Sequence, residues 1–188
     1  ERTKSDAQGH HRAEPDRLME HYVQVAAAAA NQLAPEHAAP AFLLGIGVAI
    51  DDSDLFRHNP LTQELSHSVE SDAERAQRLK VLGAPTILQR RDWAQHFVIS
   101  AALTARYGPK AAEAAGLLKE LNDMKGDSGF SFADLSADLA GIALAQQILA
   151  QPDLLNRLAR SSSFIDFMPD PKGLPDALSQ QQFSADYG

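Results

Sequence analysis

Between Asp92 and Ala150 three stretches of helical periodicity follow one another, divided only by Gly108-Pro109 and by a Gly126–Phe130 loop. Apolar residues recur there at three- and four-residue intervals, and no stretch shows the strict alternation of a half-buried strand. Glycine ends a helix by taking a left-handed backbone, and proline opens the next because it has no amide hydrogen to lose there. A chain with this pattern folds by packing helices on one another. The composition agrees: alanine fills roughly one position in six, and it combines the best helix propensity with little bulk.

The rest of the chain extends the pattern. Residues 1–15 are polar and aperiodic and are expected to form a disordered arm, His10 and His11 included. Asp16–Leu33 reads as a helix stopped by Pro35, and Ala38–Ile50, apolar on all sides, as a buried one. Asn59-Pro60 looks like an N-cap and first turn for Leu61–Ser68. Ser71–Leu82, Asp92–Tyr107, Lys110–Lys125 and Ser131–Ala150 follow as helices, and Pro152 opens a last one reaching about Arg160. Residues 161–188 carry Pro169, Pro171 and Pro175, which predicts an extended tail with one short helix over Pro175–Phe183. The expected architecture is all-α: one multi-helix, orthogonal or bundle-like domain over 16–160, with a disordered N-terminal arm and an extended C-terminal tail.

Several functions are disfavoured at once. The net charge of −8 and pI near 5.3 leave no cationic face for nucleic acid or for an anionic membrane surface. The absence of cysteine excludes disulfides, thiolate ligands and a cysteine nucleophile. No apolar run approaches the roughly 20 residues of a membrane span. Glu1 rather than Met opens the sequence, which fits a removed signal peptide or a trimmed boundary. Stripes of small residues at Ala26–Ala30 and Ala111–Ala115 would suit close helix contacts within the chain, with a protein partner or in a homo-oligomer.

The candidate site is His96, Glu120, Asp123, Asp134 and Asp138. On Lys110–Lys125 the expected core stripe is Ala114, Leu117, Leu118, Leu121 and Met124, which puts Glu120 on its border and Asp123 nearer solvent. On Ser131–Ala150 the stripe Phe132, Leu135, Leu139, Ala143 and Gln146 puts Asp138 on a border and Asp134 farther out. His96 belongs to a helix that is apolar nearly all round, so its imidazole is expected to be at least partly buried near two carboxylates. Such a ring can ligate a divalent metal with Glu and Asp, act as a base beside an orienting acid, or serve as a structural hydrogen-bond node. Plainer readings exist for each member. Asp92 and His96 are spaced to pair on one helix, as are Lys119 and Asp123, and Ser131 with Asp134 makes a Ser-x-x-Asp capping box. Asp51-Asp52 is a second candidate patch, because acids at a helix C-terminus oppose its dipole.

No Gly-x-Ser-x-Gly, His-Glu-x-x-His or phosphate-binding glycine loop accompanies the cluster, and Lys125 stands where an EF-hand loop would need its third ligand. The ordered set Asp92, His96-Phe97, Ser100-Ala101, Lys119-Glu120-x-x-Asp123, Gly129-Phe130-Ser131, Asp134-Leu135, Asp138-Leu139 and Gly141 resembles the YfiM-type lipoproteins of bacteria over Asp92–Ala145. Trp93 stands where that pattern has a lysine, and anchoring through a lipidated cysteine does not carry over to these residues. The resemblance implies an exported helical protein at a bacterial envelope, periplasmic or secreted. Two functions are therefore expected to compete: a non-enzymatic scaffold or binding module, and a metal-dependent hydrolase. The latter would use His96, Glu120 and Asp138 as ligands and Asp123 or Asp134 as base.

Overall fold

A computed structural model describes residues 14–53, 55–58, 62–126, 128–161 and 164–187. The expected N-terminal arm lies almost wholly outside them, as does the Asn59-Pro60 cap. The described chain is all-α, as its periodicity predicts: α1 (Glu14–Ala30), α2 (Pro35–Ile50), α3 (Leu55–His58), α4 (Gln63–Val69), α5 (Asp72–Val81), α6 (Arg91–Tyr107), α7 (Pro109–Asp123), α8 (Phe132–Ala150), α9 (Asp153–Leu158) and α10 (Gln180–Tyr187). Pro35 does more than stop α1. It stands at the first position of α2, where a missing amide hydrogen costs nothing. Among the described residues no helix is long and apolar enough to cross a membrane.

Helix α6 is the axis of the domain, packed against α2, α7 and α8. Small residues bring these helices together. A Cβ at Gly141 of α8 would overlap the backbone carbonyl of Phe97 on α6, so only glycine permits that crossing. The core fills with Met19 and Val23 from α1, Phe42, Leu43 and Ile46 from α2, Phe97 from α6, and Leu144 and Ile148 from α8.

This close packing overturns the expected helix stripes. On α7 the buried residues are Ala112, Gly116 and Glu120, while Leu117 is 43% exposed and Leu118 63%. On α8 the buried face is Ala133, Ala137, Asp138, Ala140, Gly141, Ile142, Leu144, Ala145 and Ile148, and Leu139, Ala143 and Gln146 face outward. Leucines at these contacts would hold the axes apart. Alanine and glycine let backbones approach, and the gain in contact outweighs the apolar area left in water.

The residues after α9 run back along the domain. A 3-10 turn at Phe164–Phe167 seats Phe164 edge-on to Phe97 in the core. The proline-bearing stretch beyond it is irregular rather than extended, with a turn closed by the Leu174 amide on the Pro171 carbonyl (3.0 Å), and Phe130 and Leu178 exchange both backbone hydrogen bonds (2.8 and 2.9 Å). The last helix forms at Gln180–Tyr187, displaced toward the C-terminus from the Pro175–Phe183 expectation, and sets Phe183 and Tyr187 against Phe132.

Asp51 and Asp52, the second candidate patch, join elements together. Asp51 is buried, accepts hydrogen bonds from the amide and hydroxyl of Ser53 (3.0 and 2.6 Å) and lies 3.7 Å from Arg75. Arg78 donates to the backbone carbonyls of Ala49 and Asp51, which offsets the negative end of the α2 dipole. Asp52 pairs with Arg91 and Gln95 at the start of α6.

Candidate metal centre

Four of the five candidate residues converge, and each arrives by a local device. His96 is buried on α6, 7% exposed, one turn before Ser100 on the same face. Glu120 is carried inward by the Ala112–Gly116–Glu120 stripe and is 1% exposed. Asp134 and Asp138 sit one turn apart at the start of α8, beneath the Ser131 cap.

The imidazole has two distinct sides. On one, Asp138 Oδ1 lies 3.1 Å from His96 Nδ1 and also accepts the Ser100 hydroxyl at 2.6 Å. A carboxylate oxygen that already takes the Ser100 hydroxyl is placed to accept from Nδ1–H, and Nε2 is turned to the other side. There it faces Asp134 Oδ2 at 3.4 Å and Glu120 Oε1 at 3.7 Å. One ligand atom from each of His96, Glu120 and Asp134 falls within 4.8 Å of the other two.

The plainer readings divide. Asp92 does not pair with His96: it binds Arg90 and caps the Trp93 amide at 3.1 Å. Lys119 and Asp123 do pair, at 2.8 Å. The capping box is half made. Ser131 Oγ accepts the Asp134 amide at 3.0 Å, but the Ser131 amide donates to Glu120 Oε2 at 2.9 Å instead of to Asp134. Glu120 thus takes over the return bond, and the Asp134 carboxylate is left to face the imidazole. Its Oδ1 is buried without a hydrogen-bond partner among the described residues.

Electrostatics reinforce the geometry. Burial raises the pKa of Glu120 above the ordinary carboxyl value, against the pull of Lys119 and the Ser131 amide. Burial raises that of Asp134 as well, helped by nearby Asp92 and Asp176 and opposed by His96 and Lys119. For His96 burial works against the charged ring, yet the hydrogen bond and charge of Asp138, with Asp134, outweigh it and raise its pKa. Carboxylates that burial makes reluctant to ionise, gathered on one imidazole nitrogen, form a place where a cation is favoured.

No family model, curated protein or solved structure matches the chain. The site must therefore be read from its own chemistry. Three residues beyond the expected set shape it. Ser100 steadies Asp138, and its i+4 spacing from His96 is the signal for it. Gly116 makes room for Asp138, since a Cβ there would overlap the Asp138 carboxylate; its mark in the sequence is the spacing Ala112, Gly116, Glu120. Ser131 engages Glu120 through its backbone, which no side-chain motif announces.

Proposed function

We propose that this chain is a helical binding module whose internal site takes one divalent cation through His96 Nε2, Glu120 Oε1 and Asp134. The observation that carries the reading is the division of the imidazole: Asp138 holds Nδ1 from behind, and two buried carboxylates await Nε2. Histidine ligands of metals are commonly oriented by a carboxylate on the second nitrogen, which fixes the tautomer and raises the basicity of the ligating atom. The separations are also suitable. Ligand atoms about 2.0–2.2 Å from one tetrahedral ion stand about 3.4 Å apart, near the 3.4 and 3.7 Å already present.

The ligand set differs from that of a hydrolase built on His96, Glu120 and Asp138. Asp138 lies behind the ring, Asp134 joins the ligands, and Asp123 is engaged by Lys119. The carboxylates that would have served as base are therefore occupied, which favours a scaffold or binding role over hydrolysis. The residue order shared with YfiM-type lipoproteins supports placing that role at a bacterial envelope, periplasmic or secreted.

The test is calorimetric titration of chelator-treated full chain with Zn²⁺ and, separately, Mn²⁺. One ion per chain is expected, with a rise in melting temperature as the ion saturates, and both effects lost in His96→Ala. Absence of stoichiometric binding would reduce the cluster to a structural hydrogen-bond node.

A further inference from the structure

The acidic side of His96 already holds a cation, supplied by the chain itself. Lys119 precedes Glu120 on α7, and its Nζ lies 3.2 Å from Glu120 Oε1 and 2.8 Å from Asp123 Oδ2. Oε1 is also the oxygen that faces Nε2 of His96. Glu120 cannot readily offer its other oxygen, because Oε2 accepts the Ser131 amide at 2.9 Å. Ammonium and ion would thus claim the same atom.

We infer that Lys119 is a tethered competitor of the divalent ion, holding Glu120 Oε1 when the site is empty and shifting onto Asp123 when the ion enters. The inference rests on the metal reading above and says how that site is regulated. Asp123 gives the displaced lysine somewhere to go. It lies one turn from Lys119 on α7, already within hydrogen-bond distance, and it is not among the three clustered ligands. The side chain of Lys119 is 36% exposed, so it reaches Glu120 from the solvent side and can withdraw the same way.

Two consequences follow from the charges. Without the ion, the ammonium partly neutralises Glu120. With it, a positive group a few ångströms away weakens the ion by direct repulsion. The site is consequently exchangeable: it fills when free divalent cation is plentiful and empties when it is scarce.

The experiment compares wild type, Lys119→Met and Lys119→Arg as full chains, stripped with chelator and titrated by calorimetry with Mn²⁺ and with Zn²⁺. Lys119→Met keeps the length of the stem without its charge and is expected to bind both ions about tenfold more tightly or better. Lys119→Arg keeps the charge and is expected to stay near wild type, an outcome that a merely structural lysine would not impose. If Lys119→Met does not melt cooperatively, Lys119→Gln supplies the same comparison. Wild type that binds an ion while the neutral variants bind it no more tightly would overturn the competition and leave the metal reading standing. Binding by none of these proteins would remove both.

Discussion

Asp138 and Glu120 stand on opposite sides of one imidazole, the first 3.1 Å from Nδ1 of His96 and the second 3.7 Å from Nε2. The two acids therefore have different work, though both are buried and each sits on a helix packed against α6. Asp138 holds Nδ1 and the plane of the ring, while Glu120 and Asp134 gather on the side of Nε2.

That division makes Asp138→Asn informative. The asparagine oxygen can still accept from Nδ1 and from Ser100, so the fold should persist with a small loss of stability. In the proposed site the ring would lose the charge that makes Nε2 a better donor to metal. Zn²⁺ affinity is expected to fall about 10- to 100-fold, the usual effect of removing an outer-shell carboxylate. Calorimetric titration beside a thermal melt measures both. Unchanged affinity would show that Asp138 is only a packing partner.

The inverted faces of α7 and α8 give a second prediction. Leu118→Lys and Leu139→Glu place charge where the expected stripes had the core. Because these leucines are 63% and 52% exposed, each substitution should change unfolding free energy by no more than about 0.5 kcal/mol. Urea denaturation decides the matter, since a buried leucine would cost several times as much.

How far the sequence was legible follows from the same helices. Periodicity and punctuation located them, because Gly108, Pro109 and Pro152 act through local backbone chemistry that needs no knowledge of neighbours; Gly126 does not end α7, which stops at Asp123 without a left-handed glycine there. The choice of buried face was not local. Leu117 and Leu118 outweigh Ala112 and Gly116 in any count of hydrophobicity, yet the small residues win because Gly116 admits Asp138 and Gly141 admits the α6 backbone. The convergence of Glu120 and Asp138 on His96 could still be anticipated, since a residue on the border of the expected stripe is also near the true one. The pairing of Asp123 with Lys119 was legible in their i,i+4 spacing, whereas the use of the Ser131 amide by Glu120 depends on how the start of α8 meets α7 and is invisible to spacing alone.

Glu70 predicts a dependence on acid. It receives Nε and Nη2 of Arg78 at 2.9 and 2.7 Å, with Arg75 and Arg57 at 3.5 and 4.0 Å. The Arg78 hydrogen bonds, with the charges of the three arginines, hold its pKa below the ordinary 4.5 despite the opposing effect of burial. A carboxyl with a depressed folded-state pKa contributes fully above its unfolded value and loses that contribution as pH falls through the folded one. Glu70→Gln should therefore be less stable than wild type at pH 7, by on the order of 3 kcal/mol for breaking a buried pair. The gap should narrow as pH falls from the ordinary carboxyl value of 4.5 through the lower folded-state one. Urea melts of both proteins at pH 7, 5 and 3 give the comparison, and a gap independent of pH would mean that packing, not charge, accounts for it.

The turn that delivers the chain into α6 stores strain that can be released. Ile87 and Arg90 exchange backbone hydrogen bonds of 3.0 Å, and between them Leu88 and Gln89 take φ of 51° and 64°. Positive φ at both central residues defines the type I′ turn, which Asn-Gly suits and a leucine does not. The conformation is enforced from α1: Asp16 accepts the Thr86 hydroxyl at 2.5 Å and the Gln89 amide at 3.0 Å. Both turn side chains are exposed, so replacing them removes strain without opening the core. Leu88→Asn with Gln89→Gly is expected to raise unfolding free energy by about 1–3 kcal/mol, measured by urea denaturation. Metal affinity should not move, because the substitutions leave the helix that carries His96 and the backbone amide used by Asp16 in place. A loss of stability instead would mean that the Leu88 side chain, at the edge of exposure, packs against its neighbours strongly enough to justify its backbone.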